Sequence, residues 1–160
     1  MDNVSGLAFG PDGRWAVVNT GGPGPLDLTY TTLRGTIVII TGLPDNPVFS
    51  APFSVPMHSL GNIDLSLDGG TLLLNDSTDL SSGGKKSQAI VLQGIRPGGP
   101  PPRVAATHTF QTPAGYPAGS PTPVEDAKLT LDGRFVVAPI GTIRDFDAQG
   151  LPIGLNQIAM

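Results

Sequence analysis

The chain of 160 residues contains no cysteine, which excludes disulfide staples and thiolate metal sites and leaves the redox compartment unreadable. Charged residues make up only 14% of it and aromatics 6%. The balance of 9 basic against 13 acidic residues gives a net charge of −4, and Lys85-Lys86 is the single adjacent basic pair. Phosphate neutralisation needs clustered Lys and Arg, so a nucleic-acid partner is not expected. No apolar run approaches the roughly 18 residues of a membrane span, so no membrane partner is expected. Met1-Asp2-Asn3-Val4 has neither a basic region nor an apolar core, and no signal peptide is expected there. Localisation stays open. Sustained 3.6-residue apolar periodicity is absent too, which predicts almost no helix.

What is present is punctuation. Twenty-two glycines and 17 prolines, about a quarter of the chain, separate short runs rich in Val, Ile and Leu. That pattern belongs to many short strands joined by tight connections. Three of the connections are alike. Asp12-Gly13, Asp68-Gly69 and Asp132-Gly133 each sit between apolar segments, at intervals of 56 and 64 residues. Asp-Gly between apolar runs marks a hairpin, because Gly accepts the positive φ of a tight turn.

Each copy extends further. After the first hairpin come the runs Thr36–Ile40 and Val48–Val55; after the second come Gln88–Leu92 and Arg103–Phe110. The third hairpin, from Ala127 to Ala138, is followed by Gln157–Met160. Counted from each turn Asp, the third run begins 24, 20 and 25 residues later, so the register is kept. Strand repeats of this period, four strands to a unit, predict an all-β fold: a partial β-propeller of about two and a half four-stranded antiparallel blades. The expected units span about 3–56, 61–113 and an incomplete 124–160, forming a single propeller fragment. Bare sheet faces at both ends imply partners, either the remaining blades of a larger propeller or further copies of the chain.

The segments Gly10-Pro11-Asp12-Gly13-Arg14 with Ala16-Val17-Val18-Asn19, Asp68-Gly69 with Leu72-Leu73-Leu74-Asn75, and Asp132-Gly133-Arg134 resemble the repeats of lactonase-like, YVTN-repeat propellers related to WD40 domains. The Tyr-Val-Thr-Asn tetrapeptide itself does not occur. The resemblance implies a propeller fold, in a group that includes lactone hydrolases, amine-dehydrogenase-like subunits and cell-surface binding proteins, and it allows an exported parent protein. Fold alone does not choose among these.

Blade topology would put the long connections Thr20–Gly35, Asp76–Ser87 and Ile140–Asn156 on one face, opposite the Asp-Gly turns. Connections of that length commonly carry function. Candidate binding residues at that face are His58, Asn62, Asp64, Asn75, Asp76, Glu125 and Asp126. A ring of carboxylates and amides would suit a hard cation such as Ca²⁺, although no cofactor is specifically expected. It would equally suit a water poised for lactone hydrolysis, with a carboxylate or His58 as base. The competing assignment is that these side chains close strand ends and satisfy loop backbone. Asp145 and Asp147 start an oxygen-rich loop, but Gln149 and Asn156 stand where further calcium ligands are required, making them weak metal candidates. His108, on an outer strand, is expected to be structural. The expected role is a binding or scaffold module offering its loops to a protein, glycan or small molecule, the alternative being part of a lactonase-like hydrolase.

Overall fold

The computed structural model of the protein describes residues 4–20, 35–56, 62–76, 88–110, 127–140 and 157–159. These residues are all-β and antiparallel, without helix and without a closed barrel. The first sheet comprises β1 (Val4–Phe9), β2 (Trp15–Thr20), β3 (Gly35–Thr41), β4 (Val48–Phe49) and β5 (Phe53–Val55), with β4 and β5 both paired to β3. The second runs β6 (Ile63–Leu65), β7 (Thr71–Asp76), β8 (Gln88–Gln93) and β9 (Arg103–Thr109). The third runs β10 (Lys128–Leu129), β11 (Val136–Ile140) and β12 (Gln157–Ala159). All three are meanders in chain order.

The hairpins expected from Asp-Gly are present, and their hydrogen bonds repeat. The N–H groups of Gly13, Gly69 and Gly133 donate to the carbonyls of Gly10, Ser66 and Thr130 at 2.8–2.9 Å. Those same three residues donate their own N–H to Trp15, Thr71 and Phe135, closing a four-residue loop around a tight turn. The turn glycines adopt φ of 68°, 74° and 67°, a region costly for residues with a Cβ. In the first copy the residue two before Asp is Gly10, and a Cβ there would lie 2.1 Å from the Trp15 indole. Glycine at that position makes room for the ring, which is nearly fully buried.

One expected strand is divided. The run Val48–Val55 forms two short strands, because Ser50 Oγ accepts the Ile39 N–H at 2.9 Å and Pro52 has no N–H to contribute to a ladder.

Alternation gives every sheet two faces, and the cross-strand register says which residues share one. In the second sheet, Ile63, Leu74 and Ile90 pair in a row, as do Leu65, Leu72 and Leu92. These residues pack with Trp15, Val17, Ile37 and Val55 of the first sheet in one apolar cluster. The opposite face carries Asp64, Leu73 and Val91 in one row and Asn75, Ala89 and His108 in another. Leu73, Ala89 and Val91 pack there with Ala127, Leu129, Val136 and Ala138 of the third sheet. The sheets therefore stack front to back, with the second in the middle. Burying each large aliphatic side chain contributes about 1.5–3 kcal/mol, so these two layers dominate stability.

Candidate functional site

The described candidates lie where β6 meets β7. The Asn75 N–H donates to the Asn62 carbonyl at 3.0 Å, drawing the chain before β6 against the end of β7. Asn75 is fully buried, as is its repeat counterpart Asn19, so neither presents its amide at the surface. Asp64 is half-buried on the front of β6. Its Oδ2 accepts the Leu129 N–H at 2.7 Å, tying the second sheet to the first strand of the third. Asp76 ends β7 and pairs with Gln88. His58, Glu125, Asp126, Asp145 and Asp147 lie outside the described residues, as do the connections 21–34, 77–87 and 141–156.

The structure thus brings Asn62, Asp64 and Asn75 together at one end of the second sheet, with Asp64 engaged by backbone. A carboxylate holding a backbone N–H is committed to charge-assisted hydrogen bonding between layers. Among the described residues, no three His, Cys, Asp or Glu side chains converge as metal ligands.

The opposite edge carries the Asp-Gly turns, and their electrostatics repeat. Ser66 Oγ donates to Asp68 Oδ1 at 2.6 Å, and the Gly70 N–H reaches the same oxygen at 2.9 Å. Thr130 Oγ1 donates to Asp132 Oδ1 at 2.5 Å, joined by the Arg134 N–H at 3.1 Å. In each case the hydroxyl, followed by the backbone N–H, holds the carboxyl below its ordinary pKa. The hydroxyl oxygens also accept, from the N–H of Thr71 at 2.9 Å and of Phe135 at 3.1 Å. Asp68 and Asp132 are exposed, Thr130 is half-buried and Ser66 is buried, and all four spend these hydrogen bonds on building the turns. The Ser/Thr-x-Asp-Gly spacing in the sequence carried this signal.

Among the described residues, two clefts open between neighbouring sheets. One, of about 190 Å³, lies between β3 of the first sheet and the Pro100-Pro101-Pro102 run that leads into β9. The other, of about 300 Å³, is lined by Ala106, His108 and Phe110 of the second sheet and by Arg134, Phe135 and Val136 of the third. His108 meets Phe110 edge to face at 5.1 Å, and the Arg134 guanidinium stands 5.6 Å from the Phe135 ring centre, within cation–π range. The spacing 106, 108, 110 puts three side chains on one strand face and was readable in the sequence. Their meeting with Arg134 and Phe135 was not, since it depends on how two sheets stack.

Comparison with protein-family models and with curated proteins found no match for this chain.

Proposed function

We propose that the three stacked sheets are blades of a β-propeller and that the chain is a binding or scaffold module, offering the connections 21–34, 77–87 and 141–156 to a partner. The supporting observation is the front-to-back stacking of three antiparallel meanders, each opened by an Asp-Gly hairpin. A strand order of this kind, repeated around an axis, is the construction of a propeller. On this reading the blades are units at about 3–56, 61–113 and an incomplete 124–160, and the resemblance to lactonase-like repeats supports it. Binding is favoured over hydrolysis because Asp64, the candidate acid whose surroundings are described, already holds the Leu129 backbone. General acid–base work needs a carboxylate that can reach a substrate proton.

The test is binding of the purified chain to glycan and peptide arrays, run beside a simple-lactone hydrolysis assay. Variants would carry short Gly-Ser linkers in place of 21–34 or 77–87. Binding lost with a linker while far-UV circular dichroism is unchanged supports the module. Lactone turnover, or binding indifferent to both linkers, contradicts it.

A further inference from the structure

The two internal interfaces obey one positional rule, and its unfilled ends specify a third. Counting from each turn Asp, the residues at −5, −3, +4 and +6 form the back of a sheet. In the second sheet these are Ile63, Leu65, Leu72 and Leu74, packed against the first. In the third they are Ala127, Leu129, Val136 and Ala138, packed against the second. The −5 residues Ile63 and Ala127 are only 6% and 1% exposed. In the first sheet the same positions hold Leu7, Phe9, Ala16 and Val18; Ala16 is buried and Val18 half-buried, but Leu7 is 53% and Phe9 61% exposed. Phe49, which pairs with Ile40 in the Phe9–Ala16 row, extends this apolar back face outward and is exposed as well.

The turn glycines obey the rule too. A Cβ at Gly69 would meet Trp15 at 2.9 Å and Pro11 at 3.0 Å of the preceding sheet. One at Gly133 would meet Ser66 at 3.2 Å and Thr71 at 3.9 Å. Trp15 and Thr71 are both the +3 residue, so the turn of each sheet rests on the +3 shelf of the one before. Gly13 has no such shelf: nothing lies within 4 Å of a Cβ there. At the other end of the stack, the +3 residue of the third sheet is Phe135, which borders the cleft against the second sheet and is still 52% exposed. Lys128 and Val137 pair on the face of that sheet turned away from the second.

We infer that a second copy of this chain stacks head to tail on the first, the front of its third sheet covering Leu7 and Phe9 and its Phe135 shelf receiving Gly13. The interface continues the two already inside the molecule, in the same register. It is heterologous, so it closes into a ring if the rotation per sheet allows and otherwise grows into a filament. Two copies bring six sheets together, within the four to eight of closed propellers. The inference rests on the blade reading for ring closure alone; the pairing of faces stands on the repeat positions.

The test is solution mass by light scattering and sedimentation for the wild-type chain, Leu7→Glu, Phe135→Glu and an equimolar mixture of the two variants. Wild type is expected at an integer multiple of 16.4 kDa, with two copies for a closed ring. Each variant alone has one damaged and one intact face, and self-association should weaken at least tenfold. The mixture should recover a 1:1 dimer through its undamaged pair of faces. A back-to-back dimer would instead leave Phe135→Glu associating normally, which overturns the proposal. So does a wild-type chain that is a folded monomer at 100 μM, or one that aggregates without ordered assembly. If either Glu variant loses its β-sheet signal, Leu7→Ser and Phe135→Ser take their places with the same expectations. A monomer that still bound array ligands through its loops would overturn this assembly and leave the module reading intact.

Discussion

The second sheet and the first are built from the same repeat but live in different surroundings. Leu72, Leu73 and Leu74 on successive positions of β7 are all fully buried, because both faces of the second sheet have a neighbour. In the first sheet, Val17 on the front of β2 is fully buried while Val18 on the back is half-buried, and Leu7 and Phe9 beside it on β1 are exposed. Runs without alternation belong to sheets covered on both sides, and that is what Leu72-Leu73-Leu74 signals. Ala16-Val17-Val18 has the same unalternating character although, on its back face, Ala16 is buried while Val18 is half-buried and Leu7 and Phe9 are exposed. The contrast teaches that burial here is set by position in the stack, while the residue pattern is set by the repeat.

The sharpest way to break the comparison is to truncate equivalent residues. Leu74→Ala should destabilise the protein by about 2–5 kcal/mol, the usual cost of a cavity at a fully buried leucine, whereas its +6 counterpart Val18→Ala should cost less than half as much. Urea unfolding of the two variants checks this, and equal losses would mean that the first sheet is as well covered as the second. Next in size is Gly10→Ala. Its Cβ would collide with the Trp15 indole, and moving a buried ring should cost about 1–3 kcal/mol. Within a single chain Gly13→Ala meets open space and costs only the strain of positive φ, about 1 kcal/mol, so the pair is compared at concentrations too low for copies to stack. Thermal melts should rank them in that order.

Asp64→Ala should cost about 1–3 kcal/mol by leaving the Leu129 N–H without its acceptor, and Asp64→Asn should recover most of the loss because an amide oxygen can still accept. Equal losses in the two variants would show that charge, not the hydrogen bond, joins the second sheet to the third.

The smallest effect is on pH dependence. Asp68 and Asp132 have pKa values lowered from the ordinary 3.8 when folded, so the folded state binds protons less readily than the unfolded state. Their contribution to stability is complete above pH 3.8 and is lost as pH falls through the lowered values. Ser66→Ala removes the largest cause for Asp68 and should flatten that acid limb in denaturation curves taken from pH 5 to 2. An unchanged limb would place the acid sensitivity elsewhere.

Much of this fold is legible in the chain. Asp-Gly flanked by apolar runs located all three hairpins. The kept register located β8 near Gln88 and β12 at Gln157, the latter across a connection of residues 141–156. What was not legible is whatever depends on one sheet meeting another. Asp64 reads as a free acid until Leu129, far along the chain, is placed beside it. His108 reads as a lone edge histidine until Arg134 and Phe135 close the other side of a cleft. Asn75 reads as a candidate binding amide near the end of its strand, yet it is fully buried. The division of Val48–Val55 depends on a single serine hydroxyl competing for the Ile39 N–H, which no periodicity encodes.

The central claim is that the sheets stack front to back through the turn of one resting on the shelf of another. The absence of native cysteine allows a direct test with the double variant Ser66→Cys and Gly133→Cys. A Cβ at Gly133 would lie 3.2 Å from that of Ser66, close to the separation a disulfide spans. On mild oxidation the account expects the pair to close within one chain, seen by intact mass spectrometry as the loss of two hydrogens and by faster non-reducing migration. Two free thiols after oxidation, in a chain that keeps its β-sheet signal, would contradict the stacking itself.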